Sequence, residues 1–541
     1  MRTSNHGGMQ QGEDEQSGLP PPPLSYRLVR RFYRFLTNVW FREITVVDQE
    51  NIPEEGGVLY ITWHPSGLID PMLMTSIVDE QLTTVGKHTL FRTPLLGRLL
   101  KASGVVPIER LQDVDDSKAS RERNQLQLRT LSSTLAAGGN VLIFPEGETH
   151  ADSSVRRVRS GAAWVLLDAI READNRGLPR PKVVPVGLHY SESQRFRERA
   201  AVVMERVMEV PPVPQGGNES SEHHQHDRTW VSEVTERFEV ELQRANHSKT
   251  TWAERTMIWR GRSLVYAEKQ RQTGEELKKP SYAASVLAAR RLRAGWEFMG
   301  KHEPASTSAL AKRCESHFGI LEQRGITPYD VDARPERLSF LTYVKHFGHW
   351  IWALVWMFGL VTWSAIAGNY VPYKANGFLS RALKRRAIDA SVIGTVKVLS
   401  AVVMFPVWWV VASAIITWSL LSAASPVNGL LLSHWLLLEI TKFPGFGVFL
   451  LFMIWWPVSA RLHLKLYARL VTSYQNLNRW EIWKDDSKDW ALLVEEQRRL
   501  SAELVALGSG LVLPGDPDWK DPPAGHDDAA SVRFRQPQTV S

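Results

Sequence analysis

Apolar positions along this chain change character part-way through. Short apolar runs separated by amphipathic stretches give way, near residue 345, to long uncharged runs. In the first part, runs at Val58–Thr62, Leu82–Gly86, Gly104–Ile108, Val141–Phe144 and Lys182–Leu188 have strand length and strand composition. Helical spacing fills the gaps, notably over Ser117–Ala137 and Ser160–Glu172. This alternation predicts an α/β domain over residues 44–210, with a mostly parallel sheet. Ligands of such sheets bind beyond the carboxyl ends of the strands, so those loops are where chemistry is expected.

Flanking patterns are simpler. Residues 1–23 are polar, end in Pro20–Pro23 and lack the apolar core of a signal peptide, so they read as a disordered tail. Over residues 24–43, Leu28, Phe32, Phe35, Leu36 and Val39 share one side of a helix, and Arg27, Arg30, Arg31 and Arg34 crowd elsewhere. That helix either lies in an anionic membrane surface or packs on the α/β domain. Residues 211–228 read as a polar loop, and 229–340 as charged helices appended to the domain, Ala283–Arg291 being the clearest.

The second part reads as a helical membrane region over residues 345–460. Gly348–Ala367 and Val398–Val427 carry no charge, and Leu430–Ala460 is apolar but broken by Glu439, Lys442, Pro444 and Gly445. Tryptophans crowd these runs, as interfacial belts do (Trp350, Trp352, Trp356, Trp408, Trp409, Trp435, Trp455 and Trp456 among them). The positive-inside bias puts the Val371–Lys397 connection and the basic stretch after Ala460 in the cytoplasm, and runs two and three form a hairpin. A cytoplasmic catalytic domain then leaves the first run starting and ending on one side, as a re-entrant or in-plane segment. Residues 461–510 read as amphipathic helices and 511–541 as a second disordered tail. No targeting signal separates a bacterial inner membrane from the endoplasmic reticulum.

Composition adds little but excludes much. The chain has 541 residues, a net charge of +7 and one cysteine, Cys314. An internal disulfide is therefore impossible, and no zinc-type spacing occurs. His223, His224 and His226 read as solvated loop residues rather than a metal site. The basic balance suits an anionic phospholipid membrane; no nucleic-acid motif is present. The chemistry expected below calls for neither metal nor cofactor.

Two post-strand loops hold the candidate chemistry. Trp63-His64-Pro65-Ser66-Gly67-Leu68-Ile69-Asp70-Pro71 follows one strand, and Phe144-Pro145-Glu146-Gly147-Glu148-Thr149 follows another. Histidine titrates near neutral pH and suits a general base, and a nearby carboxylate can hold its tautomer. By itself His64 is better read as a hydrogen-bonded loop histidine; Asp70 and the other blocks turn the reading to a base. Asp70-Pro71 also reads as the cap and first position of a helix.

Four blocks in this order resemble the signature blocks of the glycerolipid acyltransferases: the His64/Asp70 loop, Gly104–Arg110, Phe144–Gly147 and Val183–Leu188. The resemblance implies a PlsC-like α/β acyltransferase domain that moves a fatty acyl group from acyl-CoA or acyl carrier protein to a glycerol hydroxyl. It implies His64 as base and Asp70 as its orienting acid, with the substrate hydroxyl as nucleophile. Ser66 would then form no acyl-enzyme. Arg110 would hold the acceptor phosphate. Glu146, Gly147 and Thr149 would bind the acceptor, although a structural bond is an equal reading for Glu146. Arg159, where the family has Lys-x-Gly, and Lys87 are further phosphate candidates, and Pro185 would shape the acyl channel.

Two departures bear on the acceptor. Five residues separate His64 from Asp70 where four are common, and Glu148-Thr149-His150 replaces Thr-Arg-Ser. The longer spacing resembles the fungal and bacterial branch acting on glycerol-3-phosphate or dihydroxyacetone phosphate. The expectation is therefore a glycerol-3-phosphate acyltransferase of phospholipid biosynthesis. A lysophosphatidic acid (or other lysophospholipid) acyltransferase is the alternative, and a non-catalytic lipid-binding protein on this fold is the alternative of another class. With all four blocks ending by Leu188, residues up to Asp332 are expected to fold as a catalytic unit without the membrane region.

Overall fold

A computed structural model describes residues 21–109, 118–192, 195–214, 221–249, 251–273, 280–332, 340–386, 390–484 and 488–535. The chain divides into two units: Met1–Arg262 with Lys278–Lys312 and Glu503–Ser541, and Ser263–Leu277 with Arg313–Ala502.

The first unit begins with α1 (Leu24–Trp40), β1 (Phe41–Val47), β2 (Val58–Thr62), α2 (Ile69–Ile77), β3 (Leu82–Lys87), α3 (Pro94–Ala102) and β4 (Val105–Ile108). It continues with α4 (Lys118–Ala136), β5 (Asn140–Ile143), α5 (Gly161–Asn175), β6 (Lys182–Tyr190), β7 (Glu198–Met204) and α6 (Ser221–Ala245). The strands form one seven-stranded sheet in the order β1-β7-β6-β2-β5-β3-β4. Pairing is parallel throughout except between β6 and β7. All five residues of β2 and all four of β5 are buried, as expected of central strands covered on both faces. The mostly parallel α/β reading thus holds.

Two strands escaped the sequence pattern. β1 follows α1 without a turn, so helical spacing ran into it; β7 follows an arginine-rich stretch and pairs antiparallel with β6. Helix α1 is packed on the domain, but not by the face its apolar spacing picked out. Tyr26, Tyr33, Thr37 and Trp40 are buried; Leu28 and Phe35 are each 54% exposed. The Tyr26 hydroxyl accepts from Leu82 N–H (2.8 Å), and the Arg34 guanidinium donates to Ser76 O (3.0–3.1 Å). Hydrogen-bonding tyrosines, not leucines, seat this helix.

Helices α7 (Trp252–Thr273), α8 (Tyr282–His302), α9 (Pro304–Gln323) and α10 (Pro328–Asp332) follow. The histidine tract lies in the first turns of α6, not in a loop. Asp227, paired with Arg171, and buried Trp230 tie that end down.

The membrane region contains α11 (Phe340–Phe358), α12 (Leu360–Arg385), α13 (Ala390–Leu421), α14 (Asn428–Leu432), α15 (Trp435–Ile440) and α16 (Gly445–Lys484). Val392–Leu421 and Gly445–Gln475 are each long and apolar enough to cross a membrane, and only 11% and 22% of their apolar windows are buried. The first expected run is a pair of helices bent by 62°, a broken span or a re-entrant loop. The third is displaced: α14 and α15 occupy its first half, and α16 starts only after Pro444 and runs 24 residues past Ala460. Buried polar atoms are matched between helices. Trp456 Nε1 donates to Ser413 Oγ (2.9 Å), and Asn369 Nδ2 to Trp456 O (3.1 Å).

After α17 (Lys488–Ser509) come β8 (Leu511–Val512) and β9 (Arg533–Phe534), where a disordered tail was expected. The residues that made this stretch look disordered are its anchors. Asp528 is fully buried and receives Arg290 Nε (2.9 Å) and Nη2 (3.0 Å) and Arg293 Nη2 (3.1 Å). The two guanidinium groups hold its carboxyl down at about 2 despite burial.

Candidate active site

Register creates the site. β2 and β5 are neighbours, with Ile61 opposite Ile143, so the loops leaving them emerge side by side. His64 lies two residues past β2, and its ring stacks on Phe144, with centroids 4.1 Å apart. Its Nδ1 is 2.8 Å from Asp70 Oδ2. No described residue bonds its Nε2, and its side chain keeps 16% exposure. A ring nitrogen anchored on a buried carboxylate with the other open is the arrangement a general base needs.

Asp70 is the second residue of α2 rather than its cap, because the helix begins at Ile69. Its side chain turns back across the five-residue gap. Oδ2 also accepts from Ser66 N–H (2.8 Å), and Oδ1 accepts from the Tyr190 hydroxyl (2.7 Å). The longer spacing is accommodated by Gly67, whose φ of 57° is left-handed. Ser66 thus serves through its backbone. Tyr190, at the end of β6, was missed because it lies beyond the fourth block; burial and the neighbouring Asp70 charge keep its hydroxyl protonated well above the usual range.

Glu146 is buried and fully engaged by the protein. Oε2 accepts from His64 N–H (3.1 Å); Oε1 accepts from His150 Nε2 (2.7 Å) and Arg156 N–H (2.7 Å). His150 N–H in turn donates to His64 O (3.2 Å). The Glu148-Thr149-His150 departure therefore supplies the ring that closes one side of Glu146. Gly147 has φ 73°, and a Cβ there would come within 3.1 Å of Arg159 Cδ. Its lack of a side chain lets Arg159 cross the loop.

The other expected residues divide. Arg159 lines a cavity of about 1080 Å³ between this loop and α6, with Glu146 in its wall. Lys87 ends β3, and Thr149 stands in the loop beside His150, half-buried. Pro185 is an interior position of β6 opposite Ile61; its carbonyl accepts from Glu205 N–H (3.0 Å), so it belongs to the sheet rather than the dyad. Arg110 lies outside the described residues.

A second layer steadies the histidine loop. Trp63 Nε1 donates to Leu188 O (3.0 Å), and Leu188 N–H donates to Asn246 Oδ1 (3.0 Å). The Arg255 guanidinium lies 5.1 Å from the Trp63 ring centroid. Burial lowers Arg255 to about 10. These partners come from the end of α6 and from α7, where the sequence offered no chemistry.

Residues 43–189 match the protein-family model described as Acyltransferase. Among curated proteins, a chloroplastic 1-acyl-sn-glycerol-3-phosphate acyltransferase of Arabidopsis thaliana is 26% identical over 145 residues, 25% of this chain and 38% of the relative. One from Chlamydomonas reinhardtii is 27% identical over 161 residues, 28% of this chain and 45% of the relative. Another chloroplastic one, from Brassica napus, is 25% identical over 181 residues, 32% of this chain and 46% of the relative. This chain thus spans less than half the length of each. The crystal structure of the 1-acyl-sn-glycerophosphate acyltransferase PlsC from Thermotoga maritima aligns with 20% identity and a TM-score of 0.26, over 40% of this chain and 80% of that one. The His64 and Glu146 loops both fall inside the matched stretch, and residues 43–189 carry an acyltransferase domain.

Proposed function

We propose that this protein is a membrane-bound O-acyltransferase of phospholipid synthesis that acylates the free hydroxyl of 1-acylglycerol-3-phosphate (lysophosphatidic acid). The observation that carries the reaction type is the His64–Asp70 pair, 2.8 Å apart, with Nε2 unbonded among the described residues. Nε2 takes the acceptor's hydroxyl proton as its oxygen attacks the thioester carbonyl. The C–S bond then breaks, and the thiolate leaves with the proton from the imidazolium. Asp70 stabilises that imidazolium, and Tyr190 and Ser66 N–H keep Asp70 in place.

The acceptor rests on other grounds. The His64/Asp70 spacing favoured glycerol-3-phosphate, but the named relatives are 1-acylglycerol-3-phosphate acyltransferases, and they favour the lysophospholipid. Arg110, Lys87 and Arg159 remain the candidates for its phosphate. The donor is an acyl thioester, acyl-CoA or acyl carrier protein. Val392–Leu421 and Gly445–Gln475 support integral insertion in a phospholipid membrane. Purified full-length protein, given labelled acyl-CoA or acyl carrier protein, should acylate lysophosphatidic acid at least tenfold faster than glycerol-3-phosphate or dihydroxyacetone phosphate. The reverse order would restore the glycerol-3-phosphate reading.

A further inference from the structure

The cavity beside Glu146 is built partly by α6, which lies beyond the matched residues 43–189. Its lining holds four arginines and four glutamates beside Val158, Trp164, Val231 and Val240. The charges are not evenly spent. Arg156 is paired with Asp152 and Glu148, Glu146 is engaged as above, and Glu239 accepts from Val158 N–H (3.1 Å). Arg157, Arg159 and Arg228 have no ion-pair partner among the described residues, and of the carboxylates Glu236 and Glu239 have none either. Three guanidinium groups without an ion pair therefore face a cavity with two such carboxylates. Beside them stands the half-buried indole of Trp164.

We propose that this cavity binds the nucleotide end of the acyl donor, the phosphorylated adenosine of acyl-CoA; the inference rests on the acyl-transfer reading above. Guanidinium groups recognise phosphate oxygens in pairs, and an indole face stacks a purine. A volume of about 1080 Å³ is far larger than a lone phosphomonoester needs and is at the upper end for small-molecule sites. Position agrees: Glu146 forms part of the cavity wall and also holds His64 N–H, so a ligand seated there can extend its thioester arm toward the base. Arg159 then serves the donor rather than the acceptor.

The test uses the full chain in detergent and the probe adenosine 3′,5′-bisphosphate. Calorimetry should detect its binding, and it should compete with acyl-CoA but not with lysophosphatidic acid. Arg228→Glu, at an exposed position, should weaken the probe and raise the acyl-CoA KM by about tenfold, the scale of one charged hydrogen bond. The acceptor KM should stay within about twofold. The ratio of KM for an acyl-pantetheine thioester, which lacks the nucleotide, to KM for acyl-CoA should fall toward one. Ser232→Trp, which fills the cavity from the surface of α6, should act the same way. No probe binding, a rise in the acceptor KM instead, or turnover with acyl carrier protein alone would overturn the proposal. Probe binding without acyl transfer to any acceptor would instead sink the acyltransferase reading and leave the nucleotide site standing.

Discussion

Replacing Glu146 by glutamine separates a positioning role from acceptor binding. The carboxylate accepts three hydrogen bonds, from His64 N–H, His150 Nε2 and Arg156 N–H, with no exposure. A glutamine keeps the shape but turns one oxygen into a donor. If its NH₂ replaces Oε2, it opposes His64 N–H. If it replaces Oε1, it opposes Arg156 N–H, which cannot change tautomer. Either way one buried backbone donor is stranded, at about 1–3 kcal/mol. The site's share is larger, because the stranded or shifted group is the backbone of the proposed base, His64, or of the loop against it. A shift of about 1 Å costs on the order of 100-fold in a positioned reaction. Glu146→Gln should therefore lower kcat by about 10- to 100-fold and leave the acceptor KM within about threefold. Steady-state kinetics in mixed micelles, varying lysophosphatidic acid at saturating acyl-CoA, reads both. An unchanged kcat with a strongly raised acceptor KM would refute the positioning argument and return Glu146 to the acceptor.

Three further outcomes are expected. His64→Ala should cut turnover by at least ~100-fold without changing the melting temperature by more than a few degrees; near-normal turnover would remove the base from the mechanism. Asp528→Ala leaves Arg290 and Arg293 buried around a missing charge, a loss of about 3–5 kcal/mol; a melting temperature within 2 °C of the parent, allowing about 2 °C per kcal/mol, would contradict it. His189, pressed against His247 and lowered by burial from 6.5 to about 3, binds fewer protons folded than unfolded, so stability is complete above about pH 6.5 and is lost as pH falls toward 3. The slope is about 1.4 kcal/mol per pH unit for this group, His247 adds in the same direction, and His189→Leu should flatten the acid limb of a melting-temperature profile.

Periodicity revealed those parts of the domain whose cause is local. Each of the five expected strands is present; β2 and β5, buried at every residue, are apolar from end to end and cannot hide, whereas the edge strand β4 was legible only as a short apolar run. The dyad was legible for a related reason: His64 and Asp70 sit within one loop, close enough for a fixed spacing to join them. Tyr190 was not, since what aims it at Asp70 is the length of β6 relative to β2, which is a matter of register. His150 was visible only as a mismatch to a family pattern, and its bond to Glu146 needs the loop folded on itself. The face of α1 that packs on the domain was not legible, because apolar spacing identifies any greasy stripe, while the stripe that packs is held by Tyr26 and Tyr33 hydroxyls.

The most consequential misreading concerns where the catalytic unit ends. All four signature blocks close by Leu188, which suggested that residues up to Asp332 suffice. The bonds that hold the site run further. His64 follows Trp63, which is tied to Leu188; Leu188 is tied to Asn246 at the end of α6. Two residues earlier, Arg244 pairs with Glu241 (2.5 Å) and Glu205 (3.8 Å), and Glu205 also receives Arg290 (3.0 Å). Arg290 and Arg293 end on Asp528, with Asp527 adding a contact to Arg293 (2.9 Å). Removing everything after Asp332 would leave buried Arg293 without Asp527 and Asp528, and Arg290 with Glu205 alone, beside the helix that steadies the histidine loop. Such groups keep their charge at any working pH, so the cost falls on folding. The residues proposed to bear the chemistry are thus gathered by the first half of the chain, while the last thirty or so supply the buried carboxylates that the arginines of α8 require.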